Sequence, residues 1–446
     1  MHLREQTIQL IKKGQADMKE VVVVSCARTA IGNFGGALKD FSAAKLGSIV
    51  IKETLKRANL RPLFKDQDPV ITPDLLKNEE PTELEKKYDD WDKSSDPLFV
   101  DEVIMGTILQ GGLGQNLARQ AAIYAGISKE TPAFTVNKVC GSGLKAITLA
   151  AQSIMLGQAE AVIAGGMESM SNAGYILPKA RWGYRMDLDS RGELLDLLVY
   201  DGLWEVFYNC HMGITAESLA ARYSITRQEM DNISFLSQQR AVEAIKNGRF
   251  EKEIVPVEIP QRKSDPVLFK VDERPRETTM EYLAGLKPAF KKDGCITAGN
   301  ASGISDGAAA LLLMSADKAA QMGLKPMARI KAWSSAALEP FLMSLGPVSA
   351  VRKLYKETGY SNKDIDVFEI NEAFAAQVAC CLKELELNYD KTNPHGSGIS
   401  LGHPIGATGA RMAVSLIYDM IDRDLNRGLQ TMCIGGGMGM AAIWER

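Results

Sequence analysis

One plan occurs twice in this chain, and it limits the folds open to it. In the first half, Cys140-Gly141-Ser142-Gly143 leads into a helical stretch of small residues, Leu144 to Leu156. A strand-like run, Ala161 to Ala164, follows and ends in Gly165-Gly166-Met167. Near the other end, Ser400-Leu401-Gly402-His403-Pro404 leads into a helical stretch from about Gly409 to Met420. The strand-like Thr431 to Ile434 comes next and ends in Gly435-Gly436-Gly437-Met438. A reactive-type residue before a helix, then a strand ending in glycines, once per half, predicts two related α/β halves facing each other. The ligand site is expected between them.

The 446 residues exceed what one core usually serves, so two or three domains are expected. A net charge of −3 gives no electrostatic case for nucleic acid or an anionic membrane surface. The most apolar long stretch, Ala146 to Gly166, is broken by Gln152, Gln158 and Glu160, so no transmembrane helix is expected. Seven cysteines are scattered without metal-type or disulfide-type spacing, which points to reduced thiols, a cytoplasmic setting and no metal. Met1 to Met18, mixed in charge, reads as a frayed surface helix. Arg61 to Pro97, rich in proline and acid, reads as a surface insertion with one amphipathic turn around Leu84 to Tyr88. The division expected is an N-terminal extension over 1–19 and a first half over 20–170 plus about 304–324. A covering segment over 171–303 and a second half over 325–446 complete it.

Cys140 sits where a strand-like run, Phe134 to Val139, meets a helix start. The free N–H groups and positive dipole end there favour thiolate. Cys433 stands at the corresponding strand end of the second half, two residues before the glycine run. His403, one of four histidines, lies in a loop opened by Gly402, Pro404 and Gly406. Asn371 follows the strand Val367 to Ile370, where a lone asparagine would be a helix N-cap. Two thiols and an imidazole suit acyl transfer coupled to carbon–carbon bond making or breaking. One thiolate carries the acyl group. The other thiol moves a proton on the carbon alpha to a thioester. Histidine and backbone N–H groups hold the developing oxyanions. A cysteine hydrolase would leave Cys433 idle, and a non-catalytic acyl-binding relative typically loses one of the four residues.

From about Val21 to Glu445 the chain resembles the thiolase family. The resemblance rests on Val139-Cys140-Gly-Ser-Gly, Gly165-Gly-Met-Glu-Ser-Met, Thr297-Ala-Gly-Asn-Ala-Ser-Gly, Asn371-Glu-Ala-Phe-Ala, Gly402-His403-Pro-Ile-Gly-Ala-Thr-Gly and Cys433-Ile-Gly-Gly-Gly-Met-Gly. It implies two βαβαβαββ halves packed as α-β-α-β-α layers, with residues 171–303 as a loop domain gripping coenzyme A. It also implies Cys140 as acyl-accepting nucleophile, Cys433 as acid/base, and His403 with an Asn371-held water in one oxyanion hole. The N–H groups of Cys140 and Gly435 would form the other hole. The run Asp201 to Gly213 is similar to that of short-chain members, with His211 and Met212 bordering the pantetheine tunnel. Phe290, Ala298, Ser302 and Gly303 would line the coenzyme A site, and Phe374 the acyl pocket. The activity implied is reversible condensation of two acetyl-CoA to acetoacetyl-CoA, with a broader-chain 3-ketoacyl-CoA thiolase as the alternative. Coenzyme A would belong to substrates and products, no cofactor would be needed, and the assembly would be a dimer or tetramer. Ser397 replaces a glycine common in the family's loop, and is expected to stiffen it slightly. Glu277 and Tyr282 depart from the smaller residues frequent near the adenine.

Overall fold

The computed structural model describes residues 18–63, 73–76, 81–186, 188 and 192–446. The helix expected over Met1 to Met18 lies outside them except for its last residue. Among the described residues the main sheet has eleven strands, nine of them on one continuous path: β1 (Val21–Thr29), β2 (Glu102–Gly106), β3 (Ala133–Val136), β4 (Ala161–Ser169), β5 (Ser305–Ser315), β6 (Ala328–Ala337), β7 (Val367–Ile370), β8 (Arg427–Ile434) and β9 (Met438–Glu445). Their order is β7-β8-β9-β6-β1-β5-β4-β2-β3. The halves meet where β1 pairs antiparallel with β6, Val22 opposite Arg329 and Val23 opposite Ala328.

Each half follows the same path. In the first, β1, α1 (Ala43–Arg57), β2, α2 (Leu117–Tyr124), β3, α3 (Ser142–Met155), β4 and β5 give βαβαβαββ. The second runs β6, α6 (Gly346–Thr358), β7, α7 (Ala375–Leu385), then α8 (Thr408–Asp422), β8 and β9. Its third strand is reduced to a single parallel bridge between Phe368 and Thr392. Between the halves, the chain carries α4 (Met212–Tyr223) and α5 (Arg227–Lys246).

Strand periodicity sets the layers. On β1, Val22 and Val24 face one core while Val21, Val23 and Cys26 face another. On β5, Ala308, Ala310, Leu312 and Met314 alternate in the same way with Ala309, Leu311 and Leu313. The first set packs under α1 and α2. The second meets α3 and α8, which form a shared middle layer. Helices α6 and α7 cover the far face of the second half. The result is the α-β-α-β-α stack. Being buried on both faces explains why β1 and β5 read as near-continuous runs of small and apolar residues.

The middle helices touch through glycine, reciprocally. A Cβ at Gly143 would lie 2.8 Å from the Ala410 nitrogen, and one at Gly409 would lie 2.5 Å from the Leu144 nitrogen. The glycines after Ala164 do not end a strand, as expected from sequence, but continue it, since β4 runs on to Ser169. A Cβ at Gly166 would meet the Gly406 carbonyl at 2.2 Å, so the strand is bare there to seat the His403 loop.

The excursion between β1 and β2 has more order than the sequence suggested. Leu60–Pro62 pairs in parallel with Asp96–Leu98 and brackets it. A short helix, Glu83–Tyr88, starts from a Thr82–Glu85 capping box. Trp91 is buried, its indole N–H donating to the Gly126 carbonyl at 3.3 Å. Among the described residues no helix is long and apolar enough to cross a membrane.

Gly409→Ala should lower stability by about 1–3 kcal/mol, because the added methyl meets backbone that cannot step aside. A denaturant midpoint equal to that of the unsubstituted protein would show that the helix crossing tolerates side chains.

Candidate active site

The two reactive turns are built differently. β3 ends at Val136, three residues earlier than the sequence suggested, and the chain reaches α3 through a tight turn. Val139 has φ +45°, a left-handed conformation strained for a β-branched residue. Ser142 pins that turn: its hydroxyl accepts from the Lys138 N–H at 2.8 Å and donates to the Val139 carbonyl at 2.7 Å. Cys140 follows, just before the N-cap Gly141. On the opposite side, Gly435, Gly436 and Gly437 turn the chain from β8 into β9, the latter two at φ +75° and +74°. Facing turns fit closely. A Cβ at Gly141 would lie 2.4 Å from Ile434 Cδ1, and one at Gly435 would lie 2.8 Å from Met212 Cε and 3.2 Å from Val139 Cγ1.

The backbone N–H groups of Gly435 and of Cys140 itself favour thiolate at Cys140. Burial outweighs them and pushes this thiol up to about 11, helped by the Glu168 charge. The helix start therefore does not by itself ionise Cys140, contrary to the expectation from sequence. Cys433 is 1% exposed, and burial, with Cys140 and Cys381 nearby, holds it well above the ordinary thiol range. Both thiols are neutral at rest and need a base.

His403 can supply one. Burial, with the Arg411 charge, pulls its imidazole down to about 3, so the ring is neutral at working pH. The Thr408 hydroxyl lies 2.6 Å from Nδ1 and donates to the Pro404 carbonyl at 2.9 Å. That arrangement makes Nδ1–H the donor to Thr408 and leaves Nε2 as the unprotonated acceptor. Asn371 Nδ2 lies 3.4 Å from Nε2. Asn371 is not the N-cap of α7, a position held by Phe374. Its side-chain oxygen is buried without a partner among the described residues, and so is free to hold a water.

A cavity of about 450 Å³ adjoins these groups. Its wall includes His403, His211, Phe290, Ala298, Ser302, Gly303 and Phe374. Cys140, Cys433, Asn371, Gly435 and Met212 do not line it. Cys140 packs against a cluster whose Met170 and Ile405 are on the wall, and Cys433 packs with Met212 and with Phe374, which is on it. His211 is both a helix N-cap and a wall residue. Its Nδ1 accepts from the Gly213 N–H at 3.0 Å while its ring stacks on Phe290 at 4.6 Å. Phe290 meets Phe374 edge-on at 6.2 Å.

Two residues in the quoted motifs, Thr408 and Glu168, had no assigned role. Thr408 orients the imidazole. Glu168 joins the halves: it accepts from the Thr107 hydroxyl at 2.8 Å, the Leu109 N–H at 3.2 Å and the Gly406 N–H at 2.8 Å. An acid beside two mid-strand glycines was the available signal. Arg274 lies on the cavity wall. Ser397 does more than stiffen its loop: its hydroxyl donates to Glu369 at 3.0 Å and accepts from Arg411 at 3.2 Å. Glu277, near the expected adenine loop, pairs with Lys246.

Two thiols on matched turns and a neutral imidazole suit the transfer of an acyl group together with removal of a proton from carbon. The chain belongs to the thiolase family. The model for the thiolase N-terminal domain matches residues 21–82 and 92–317, and that for the thiolase C-terminal domain matches 324–446. The acetyl-CoA acetyltransferase of Syntrophomonas wolfei is 48% identical over 429 residues, covering 96% of this chain and 99% of that one. The acetyl-CoA acetyltransferase of Pseudomonas aeruginosa is also 48% identical, over 96% of this chain and 100% of its own length. The crystal structure of the Bacillus anthracis acetyl-CoA acetyltransferase superposes with a TM-score of 0.85 at 41% identity, covering 96% of this chain and 99% of that one.

His403 binds its proton near 3 in the folded chain and near 6.5 when unfolded. Between these values the unfolded state holds the extra proton, so stability rises with pH and is lost as pH falls through the window. His403→Asn should remove up to about 1.4 kcal/mol per pH unit of that slope. Urea midpoints measured from pH 4 to 7 test this, and parallel slopes for both proteins would contradict a buried neutral imidazole.

Proposed function

We propose that this chain is an acetyl-CoA C-acetyltransferase, joining two acetyl-CoA molecules into acetoacetyl-CoA and free CoA, and running in reverse as a thiolase. In the first half-reaction His403 Nε2 takes the Cys140 proton, and the sulfur attacks the thioester carbonyl. The oxyanion is met by the N–H groups of Cys140 and Gly435, CoA leaves as the thiol with the proton of Cys433, and acetyl-Cys140 remains beside protonated His403 and the Cys433 thiolate. In the second, that thiolate removes a methyl proton from another acetyl-CoA. The enolate oxygen lies in the hole formed by His403 and the water on Asn371, and the carbanion attacks acetyl-Cys140. The carbon–carbon bond forms as the Cys140 thiolate departs and regains its proton.

The observation that carries this reading is the close fit of the Cys140 turn on the Gly435 turn, together with a neutral His403 beside Asn371, whose oxygen has no partner among the described residues. The names of full-length relatives support the acetyl preference. Residues 171–303 act as the segment that grips CoA, with 20–170 and about 304–324 as one catalytic half and 325–446 as the other. In support, His211, Phe290, Ala298, Ser302 and Gly303 all come to the cavity from 171–303. The setting is cytoplasmic. The working form is a dimer or tetramer, a reading favoured by the exposed apolar side chains of Tyr175, Leu177, Trp182 and Leu194 in one segment.

Thiolysis rates across 3-ketoacyl-CoA chain lengths test the acetyl preference. Activity should be highest on acetoacetyl-CoA and fall at six carbons and beyond. Higher activity at six carbons or more would assign the chain to broad-range 3-ketoacyl-CoA thiolysis.

A further inference from the structure

The cavity wall carries one side chain with a permanent charge. Phe34, Met170, Leu203, Phe290, Ile304 and Ile405 make the wall largely apolar, and its histidines are held neutral or lowered by burial. Arg274 is the exception. Its Nε donates to the Ile399 carbonyl at 2.8 Å and its Nη2 to the Ala301 carbonyl at 3.4 Å, both backbone groups. Its Nη1 makes no hydrogen bond among the described residues, and none of them supplies a carboxylate ion pair. The acids beside it in sequence are committed elsewhere: Asp272 to Arg28, and Glu273 to the N–H groups of Asn33 and Ala37. Burial, with the neighbouring Arg276 charge, pulls the Arg274 guanidinium down to about 10, the signature of a cation lacking a counter-charge.

Position makes this more than a surface arginine turned inward. The guanidinium lies on Gly303, where a Cβ would meet Nη1 at 2.3 Å. The Gly303 carbonyl in turn accepts the His403 N–H at 3.1 Å. Gly303 is thus kept bare by Arg274 on one side and tied to the catalytic loop on the other. A desolvated cation with free donors on an apolar wall is stabilised when a ligand brings an anionic oxygen to it.

We propose that Arg274 is the anion-recognising group of this cavity, binding a carboxylate or phosphate oxygen carried by the acyl-CoA. The proposal rests on the reading of the cavity as an acyl-CoA site. The oxygen has two possible sources: a carboxylate at the far end of the acyl group, or the phosphates of CoA. A carboxylate would extend the substrates to half-esters of dicarboxylic acids such as succinyl-CoA. In either case the covalent step is thioester exchange: Cys140-SH plus acyl-S-CoA gives acyl-S-Cys140 plus HS-CoA.

The test is the rate of Cys140 acylation, followed by intact-protein mass spectrometry, with acetyl-CoA, succinyl-CoA and acetyl-pantetheine. It is run on the unsubstituted protein, Arg274→Gln and Arg274→Lys. If the acyl carboxylate is the partner, Arg274→Gln slows succinylation about ten-fold or more relative to acetylation. If the phosphates are, it slows acylation by both CoA thioesters by a similar factor and leaves acetyl-pantetheine unchanged. Arg274→Lys recovers part of either loss. The proposal is overturned if Arg274→Gln leaves all three rates within two-fold, or lowers all three equally, as a purely structural clamp on Ile399 and Ala301 would. Should the unsubstituted protein accept an acyl group from none of the three, the acyl-CoA reading itself fails, a result distinct from unchanged selectivity in the variant.

Discussion

The close crossing of α3 and α8 is the contact on which the rest depends. Each helix begins at a reactive turn, and each is bared by glycine where the other's backbone passes, Gly143 against Ala410 and Gly409 against Leu144. Glu168 fastens the same junction by accepting from the Thr107–Leu109 turn of one half and from Gly406 of the other. A side chain at these glycines would separate the helix starts, and with them Cys140 from His403. Helix packing and catalytic geometry are therefore one constraint.

Electrostatics follow from that closeness. Taking two thiols and an imidazole out of water neutralises all three, because burial disfavours each charged form. A resting site of neutral groups is suited to moving protons between them once a thioester brings a carbonyl to polarise. The fixed groups are the backbone N–H groups of Cys140 and Gly435 and the Asn371 amide, placed by the β3–α3 turn, the β8–β9 turn and the end of β7. They need no reorganisation when negative charge develops on oxygen.

Much of this was legible in the sequence, for physical reasons that also mark where legibility stops. The repeated turn–helix–strand–glycine plan predicted two facing halves, because glycine runs and period-2 or 3.6 patterns are local signals. Cys140, Cys433 and His403 stood out because reactive side chains among glycines are uncommon, and Asn371 as an amide at a strand end. The direction of the Cys140 shift was not legible. The dipole of α3 is written in the local sequence, whereas the burial that defeats it comes from residues hundreds of positions away. Gly165 and Gly166 were misread as a strand end because the reasons for them, the Ala309–Ala310 backbone of β5 against the first and the Gly406 loop against the second, are non-local. Thr408 and Arg274 carry no local mark, since a threonine starting a helix and an arginine after two acids look ordinary until the fold brings His403 and the cavity to them.

The central claim is a division of labour: Cys140 takes the acyl group and Cys433 moves the proton. Peptide-level mass spectrometry of Cys433→Ala and Cys140→Ala after mixing with acetyl-CoA measures it most directly. The account predicts an acetyl group on Cys140 in the first variant and none in the second. An acetyl group on Cys433 in the second variant, or none on Cys140 in the first, would contradict it.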